Sequence, residues 1–459
     1  MNDRLRITNA RLIDGTGEPP VENMSILVEN GRIECIKKEI VAEDARTIDA
    51  TGCTVLPGII DAHVHLESVP GSYYRNDDEE QLWEYRRHQL RAYLACGVTT
   101  VLDYGISVRQ LRQFHEYLSG GGIGPRLYAL GPILYPPGGY GDAVKMPHWG
   151  PFRSSGTPAE VVALIDEYAM FDEVIGIKMT LEPGMGPSRI WPIHDAEMRK
   201  TIVSEARKRH MPIHVHALRP EEQQRALEMG AFCLAHAGFF RSQPSESFIE
   251  EVKRRGVYVT TTLASTLGQN LYMFNLDKMN DPLIKLTVPP TQLATAQNPE
   301  AWKKTMVQML KIGSPAWMPE VVIKMMMKLM NLRKELTRQY ESACRAIKTM
   351  YDAGVPLLVG TDSANWPLFL NNFHGPSTIL EFEMLQEAGL SPMDIIQSAT
   401  RLPAEMMRLS DLFGTVEEGK RADLVIVEGD PLVDLRRLRN ISLSIKEGEA
   451  RTPAEWMSQ

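Results

Sequence analysis

The stretch GIIDAHVHL, residues 58–66, sets His63 and His65 directly behind an apolar run, with Asp61 two residues ahead. Side chains two apart on an extended chain point the same way. Other apolar, β-rich runs end in side chains of similar chemistry: Lys178 in GIKMTLE, His214 and His216 in IHVHA, His236 in LAHAG and Asp362 in VGTDSAN. Imidazole nitrogen and carboxylate oxygen suit zinc and similar divalent ions. Four histidines and an aspartate that converge can hold two such ions. A lysine ammonium would repel them. Deprotonated by burial, however, Lys178 can react with carbon dioxide to form a carbamate whose two oxygens bridge two metals.

Convergence requires a scaffold. Strand-like runs alternate with helical ones from TVLPGIIDAHVHL through GVTTVLDYG, RLYALGPILY, VIGIKMTLE, MPIHVHA, FCLAHAGF and GVYVTTTLAS to VPLLVGTDS. Eight β units alternating with α units indicate a (β/α)8 barrel, an α/β fold whose strands end at one catalytic mouth. The predicted barrel covers 57–409. Short strands before it (1–56) and after it (410–459) are expected to pair into a composite β-sandwich domain. The seventh and eighth strands stand roughly ninety residues apart, more than one crossover helix needs. This interval, about 266–345, is Met-rich and reads as helical, with scaffold, lid, membrane-surface helix or oligomer contact as its candidate roles.

Composition narrows the class. The 459 residues carry 50 basic and 58 acidic side chains, for a formal charge of -8, and no long run of one sign. No nucleic-acid partner is expected. No run of 18 apolar residues marks a membrane span, and the first residues lack the apolar core of a signal peptide. Five scattered cysteines without CxxC spacing fit a reduced, cytoplasmic protein.

LPGIIDAHVHL, the GIK stretch, HVHALRPEEQQRALEMGAFCLAH, GTDS and GTVEEGKRADLVIVEGDPL together resemble the amidohydrolase superfamily, in its imidazolonepropionase and prolidase-like branch. The resemblance spans nearly the whole chain. It implies two divalent metals, zinc by expectation, with His63, His65 and Asp362 on one, His216 and His236 on the other, and carbamylated Lys178 between them. The family pattern sets the ligand before alanine, which selects His216; His214 reads as a buried residue one pleat deeper. Family members commonly form homo-oligomers.

Two positions depart from prolidase-like relatives. Tyr140 follows Gly138 and Gly139 where those relatives have histidine, and Leu218 stands where they have an aromatic residue. Both positions grip a substrate carboxylate in the relatives, so a more hydrophobic acyl substrate is expected here. His374 and His148, in loops beyond the eighth and third strands, are further candidate substrate contacts. His194 with Asp195 reads as a helix start.

The expected reaction is hydrolysis of an amide bond, linear or cyclic, in a small molecule. Two bridged ions lower the pKa of a shared water to give hydroxide. Asp362 takes its proton and passes it to the leaving nitrogen, as the catalytic acid/base. A lactonase or phosphotriesterase using the same bimetal site is an alternative, and a non-catalytic scaffold relative is another. A one-metal deaminase is disfavoured by Lys178.

Overall fold

The computed structural model describes residues 4–144, 150, 152–184, 191–237, 242–265, 274–315 and 317–458. Eight strands form a parallel sheet in chain order: Ile59–Val64, Val98–Asp103, Arg126–Tyr135, Val174–Thr180, Ile213–His216, Cys233–Ala235, Tyr258–Thr260 and Leu357–Leu358. Almost every residue of these strands is buried on both faces, as parallel strands covered by helices must be. A short strand, Phe152–Ser154, adds to the third and was not anticipated.

Closure runs between the first and eighth strands. Ala62 N donates to Val359 O, Asp362 N to His63 O, and His65 N to Ser363 O. Asp61 locks this seam. Its buried carboxylate accepts from Thr361 N at 3.0 Å, Thr361 Oγ1 at 2.7 Å and Thr378 Oγ1 at 2.9 Å. Gly360 lets the two strands approach so closely: a Cβ there would stand 2.6 Å from the Cβ of His63.

The connecting helices begin at capping residues. Asp78 with Gln81 and Thr157 with Glu160 form capping boxes, and Asp195 caps Ala196–Lys208 through Met198 N, as the sequence suggested. The terminal segments join in a second sheet, where Cys53–Pro57 lies between Arg4–Leu12 and Leu424–Glu428. Its own core includes Ile7, Ile26, Val55, Leu424 and Ile445. The chain crosses from this sheet to the barrel at Gly58, beside the expected boundary at 56–57.

The interval before the eighth strand is helical, from Leu276–Asn280 through Pro282–Thr287, Pro290–Ala296, Pro299–Ile312 and Glu320–Leu329 to Leu332–Asp352. The last of these runs through 345, where the insertion was expected to end. It is the crossover helix itself, continued outward. No helix among the described residues is long and apolar enough to cross a membrane.

Candidate metal centre and active site

The C-terminal ends of the first, fifth, sixth and eighth strands deliver the histidines and Asp362 to one place. Asp362 Oδ1 lies 3.2 Å from His63 Nε2 and 3.1 Å from His65 Nε2. His236 Nε2 lies 2.9 Å from His216 Nδ1. The rings of His63 and His236 bring the two pairs together, with centroids 4.9 Å apart. His63, His236 and Asp362 each offer a donor atom within 4.8 Å of the others, a group that could hold a metal ion. His216 Nε2, buried, has no hydrogen-bond partner among the described residues.

Lys178 enters from the fourth strand. Its Nζ stands 4.4 Å from the centroid of the Tyr104 ring, and that ring stacks on His63 at 3.8 Å. Burial lowers the Lys178 ammonium to about 7, with the Asp362 charge opposing the shift. Burial, reinforced by the Lys178 charge, holds His216 at about 3 and His63 well below the ordinary range. Both imidazoles are therefore neutral, with lone pairs available to a cation. Burial alone would raise Asp362, but His63, His65 and His236 keep it well below the usual carboxylate range.

The rim is held by a second layer that the sequence did not single out. Thr260 Oγ1 meets His63 Nδ1 at 3.1 Å, and Thr262 Oγ1 meets His236 Nδ1 at 2.9 Å. The signal was present in the TTT run that closes and follows the seventh strand, which ends at Thr260. Ser265 Oγ donates to Asp362 Oδ2 at 2.9 Å, and Asn365 Nδ2 donates to Ser265 Oγ at 3.0 Å. Glu381 fixes the loop that carries Ser265 by accepting from Leu263 N and Ala264 N. Asp103 accepts from Leu66 N, just beyond His65. His236, Thr262 and Asp362 adopt left-handed backbone, with φ of 74°, 51° and 55°. Such conformations cost about 1–3 kcal/mol each and persist where the surroundings over-determine them.

The remaining candidates fall in different places. Tyr140 stacks on His216, centroids 5.0 Å apart, and abuts Trp191 and Phe152. Leu218 is half-buried ahead of Arg219. Buried Glu182, also not anticipated, sits 3.8 Å from His216 Nε2 and 4.0 Å from Arg219 Nε. His214 hydrogen-bonds Tyr104 Oη at 3.0 Å, so it supports the ring beneath His63 and Lys178. His374, expected as a substrate contact, is a buried strut instead. Its Nδ1 meets Tyr93 Oη at 2.9 Å, and its Nε2 lies 3.0 Å from Ser68 O and 3.1 Å from Ala364 N. Both ring nitrogens are thus engaged by protein. His148 lies outside the described residues.

This barrel and mouth fit a known family. The model of the Amidohydrolase family matches residues 54–451, and the chain belongs to that family. Among curated proteins it is 42% identical over 98 residues to a dihydroorotase of Syntrophotalea carbinolica, covering 21% of each chain. It is 37% identical over 103 residues to an allantoinase of Enterococcus faecalis, covering 22% of this chain and 20% of that one. These matches thus span about a fifth of each curated relative. A solved Xaa-Pro dipeptidase with bound methionine in the active site superposes with a TM-score of 0.73 at 24% identity, covering 98% of this chain and 100% of that one. Molinate hydrolase gives 0.70 at 22% identity over 98% and 95% of the two chains. Phenylurea hydrolase B gives 0.67 at 20% identity over 98% and 97%.

Proposed function

We propose that the protein hydrolyses a carbon–nitrogen bond of amide type in a small, uncharged, largely apolar substrate, with two divalent cations, zinc by preference, as cofactors. The observation that carries this reading is the junction of Asp362 with His63 and His65, beside His216, His236 and the buried Lys178. His63, His65 and Asp362 would hold one cation and His216 and His236 the other, and Lys178, as its carbamate, would supply oxygen ligands to them. The donor set fits this assignment: neutral imidazoles, one ionised carboxylate and a lysine whose amine is accessible near neutral pH. When bound, such cations acidify water and polarise a carbonyl.

The protein's own groups supply the rest. Asp362, oriented through Oδ2 by Ser265, accepts the proton of the attacking water and returns it to the leaving nitrogen. Tyr140, stacked on His216, forms one wall of the mouth. An apolar cluster of Ile133, Trp366 and Phe369 continues it, with Met309 and Ile312 of the helical insertion packed against it. The buried Trp366 Nε1 has no partner among the described residues, which suits it to donate to a substrate oxygen. Arg219 donates to Gly184 O and faces Glu182, so it is already engaged and poorly suited to grip a substrate carboxylate. The similarity to segments of a dihydroorotase and an allantoinase supports carbon–nitrogen hydrolysis as the reaction class.

A hydrolysis screen of aryl amides, cyclic amides, N-acyl amino acids, free dipeptides and lactones tests this, with metal content measured on the same sample. Uncharged amides should turn over fastest, with near two ions per chain. Faster turnover of free dipeptides or lactones would overturn the substrate class. Protein that neither holds metal nor gains activity with metal and bicarbonate would overturn the mechanism.

A further inference from the structure

The outermost helix of the insertion presents its apolar side chains to solvent. Trp317, Val321, Met325 and Leu329 are 78%, 71%, 56% and 79% exposed, and Met326 and Met330 are exposed beside them. Positions 321, 325 and 329 recur at four-residue spacing, so they form one stripe along Glu320–Leu329. Among the described residues of this helix, Ile323 alone is buried. The preceding helix, Pro299–Ile312, is anchored to the barrel: Trp302 Nε1 donates to Ala296 O, and Thr305 Oγ1 meets Tyr74 Oη and Leu368 O. The stripe therefore rides on a fixed support.

Charge identifies what covers it. Between positions 303 and 338 the sequence carries eight basic and two acidic side chains, in a chain of net charge -8. Lys324 lies on the helix itself, and Lys311, Arg333 and Lys334 lie on the segments that flank it. A second copy of the chain docking stripe to stripe would set like charges against one another. An anionic surface is complementary to both the apolar stripe and its basic surroundings. We propose that Glu320–Leu329, with Trp317 and Met330 at its ends, docks the protein on an anionic lipid surface, lying in the interface without spanning it. Met309 and Ile312, on the helix that supports this one, pack at the apolar wall near the mouth, so docking holds the mouth close to the layer into which apolar molecules partition. The docking does not depend on the hydrolytic reading.

Cosedimentation of the full chain with phosphatidylcholine vesicles, with and without phosphatidylglycerol, tests the proposal. Binding is expected to the phosphatidylglycerol vesicles and to weaken as salt is raised. Val321→Ser, Met325→Ser and Leu329→Ser should each weaken it roughly tenfold, as loss of a buried apolar side chain does. Lys324→Gln and Lys334→Gln should each weaken it roughly fivefold, at about 1 kcal/mol per charge. These residues are on the surface, so the melting temperature should not move, which separates lost docking from lost fold. No binding to either vesicle, or binding that the stripe variants leave unchanged, overturns the proposal. So does a stable oligomer in solution that those variants dissociate, which would make a second copy the occupant.

Discussion

The rim of the barrel and the helical insertion are built on opposite terms. At the rim, side chains are buried and cross-tied: His63 is held by Thr260 and Asp362, His236 by Thr262 and His216, and Asp362 by Ser265. In the insertion, Glu320–Leu329 leaves Val321, Met325, Met326 and Leu329 in water, and among its described residues Ile323 alone is buried. Tight polar cross-ties fix atoms to within the tolerance that chemistry requires. A loosely committed apolar face tolerates change and suits contact with something outside the chain. Perturbing the rim should therefore alter chemistry, and perturbing the insertion should alter preference or location.

The largest effect is expected at the rim's centre. Asp362→Asn keeps the shape but removes the proton acceptor, and kcat should fall about 10²–10⁴-fold with circular dichroism unchanged. Lys178→Met should empty the site of part of its metal and lower activity at least as far. Elemental analysis checks the first effect, and intact mass should reveal added carbon dioxide on the native chain alone. Retention of full metal in the Lys178 variant would remove the lysine from the centre. One shell out, Ser265→Ala should cost about 10–100-fold, the range for groups that orient ligands, and should appear in kcat more than in KM.

Gly360→Ala tests the seam beneath them. The added Cβ meets His63 at 2.6 Å, and overpacking of this kind costs about 1–3 kcal/mol. A lowered melting temperature together with weakened metal retention is expected, since the clash falls on a proposed ligand. In the insertion wall, Met309→Ser should change the ranking of amide substrates by a few fold and leave metal content alone. If it drains the metal instead, the insertion and the rim are coupled.

A further effect, spread over several pH units, concerns acid. Burial lowers His374 to about 3, against an ordinary value near 6.5. As pH falls from about 6.5 towards 3, the unfolded chain takes up a proton that the folded ring refuses, so stability is lost on acidification by up to ~1.4 kcal/mol per pH unit. Urea denaturation across that range should show a flatter pH dependence in His374→Gln, whatever its absolute stability. An identical slope would mean the ring titrates freely in the fold.

The parts of the molecule legible in its sequence are those where chemistry or periodicity leaves few choices. Eight apolar runs, each closing on a turn, gave the barrel order. HxH, Lys, His, His and Asp at their ends marked the mouth, because few residue types can serve a cation. Thr260, Thr262, Ser265 and Glu182 were harder to see, since hydroxyls and carboxylates at strand ends also serve as caps and turn residues. His374 is ambiguous in the sequence for a related reason. Its loop does lie beyond the eighth strand, but a histidine in that position can bond backbone as readily as substrate, and only packing decides between them. An end to the insertion near 345 has no break in the chain to mark it, because Leu332–Asp352 is one uninterrupted helix.

The sheet made from both ends of the chain has a consequence for synthesis. Cys53–Pro57 pairs in register with Leu424–Glu428, Val55 opposite Ile426. One edge of an early strand must therefore wait, unpaired, while the whole barrel emerges from the ribosome. Leu424–Glu428 closes it only after the eight barrel strands have been made, so this small sheet is completed later than the barrel it flanks.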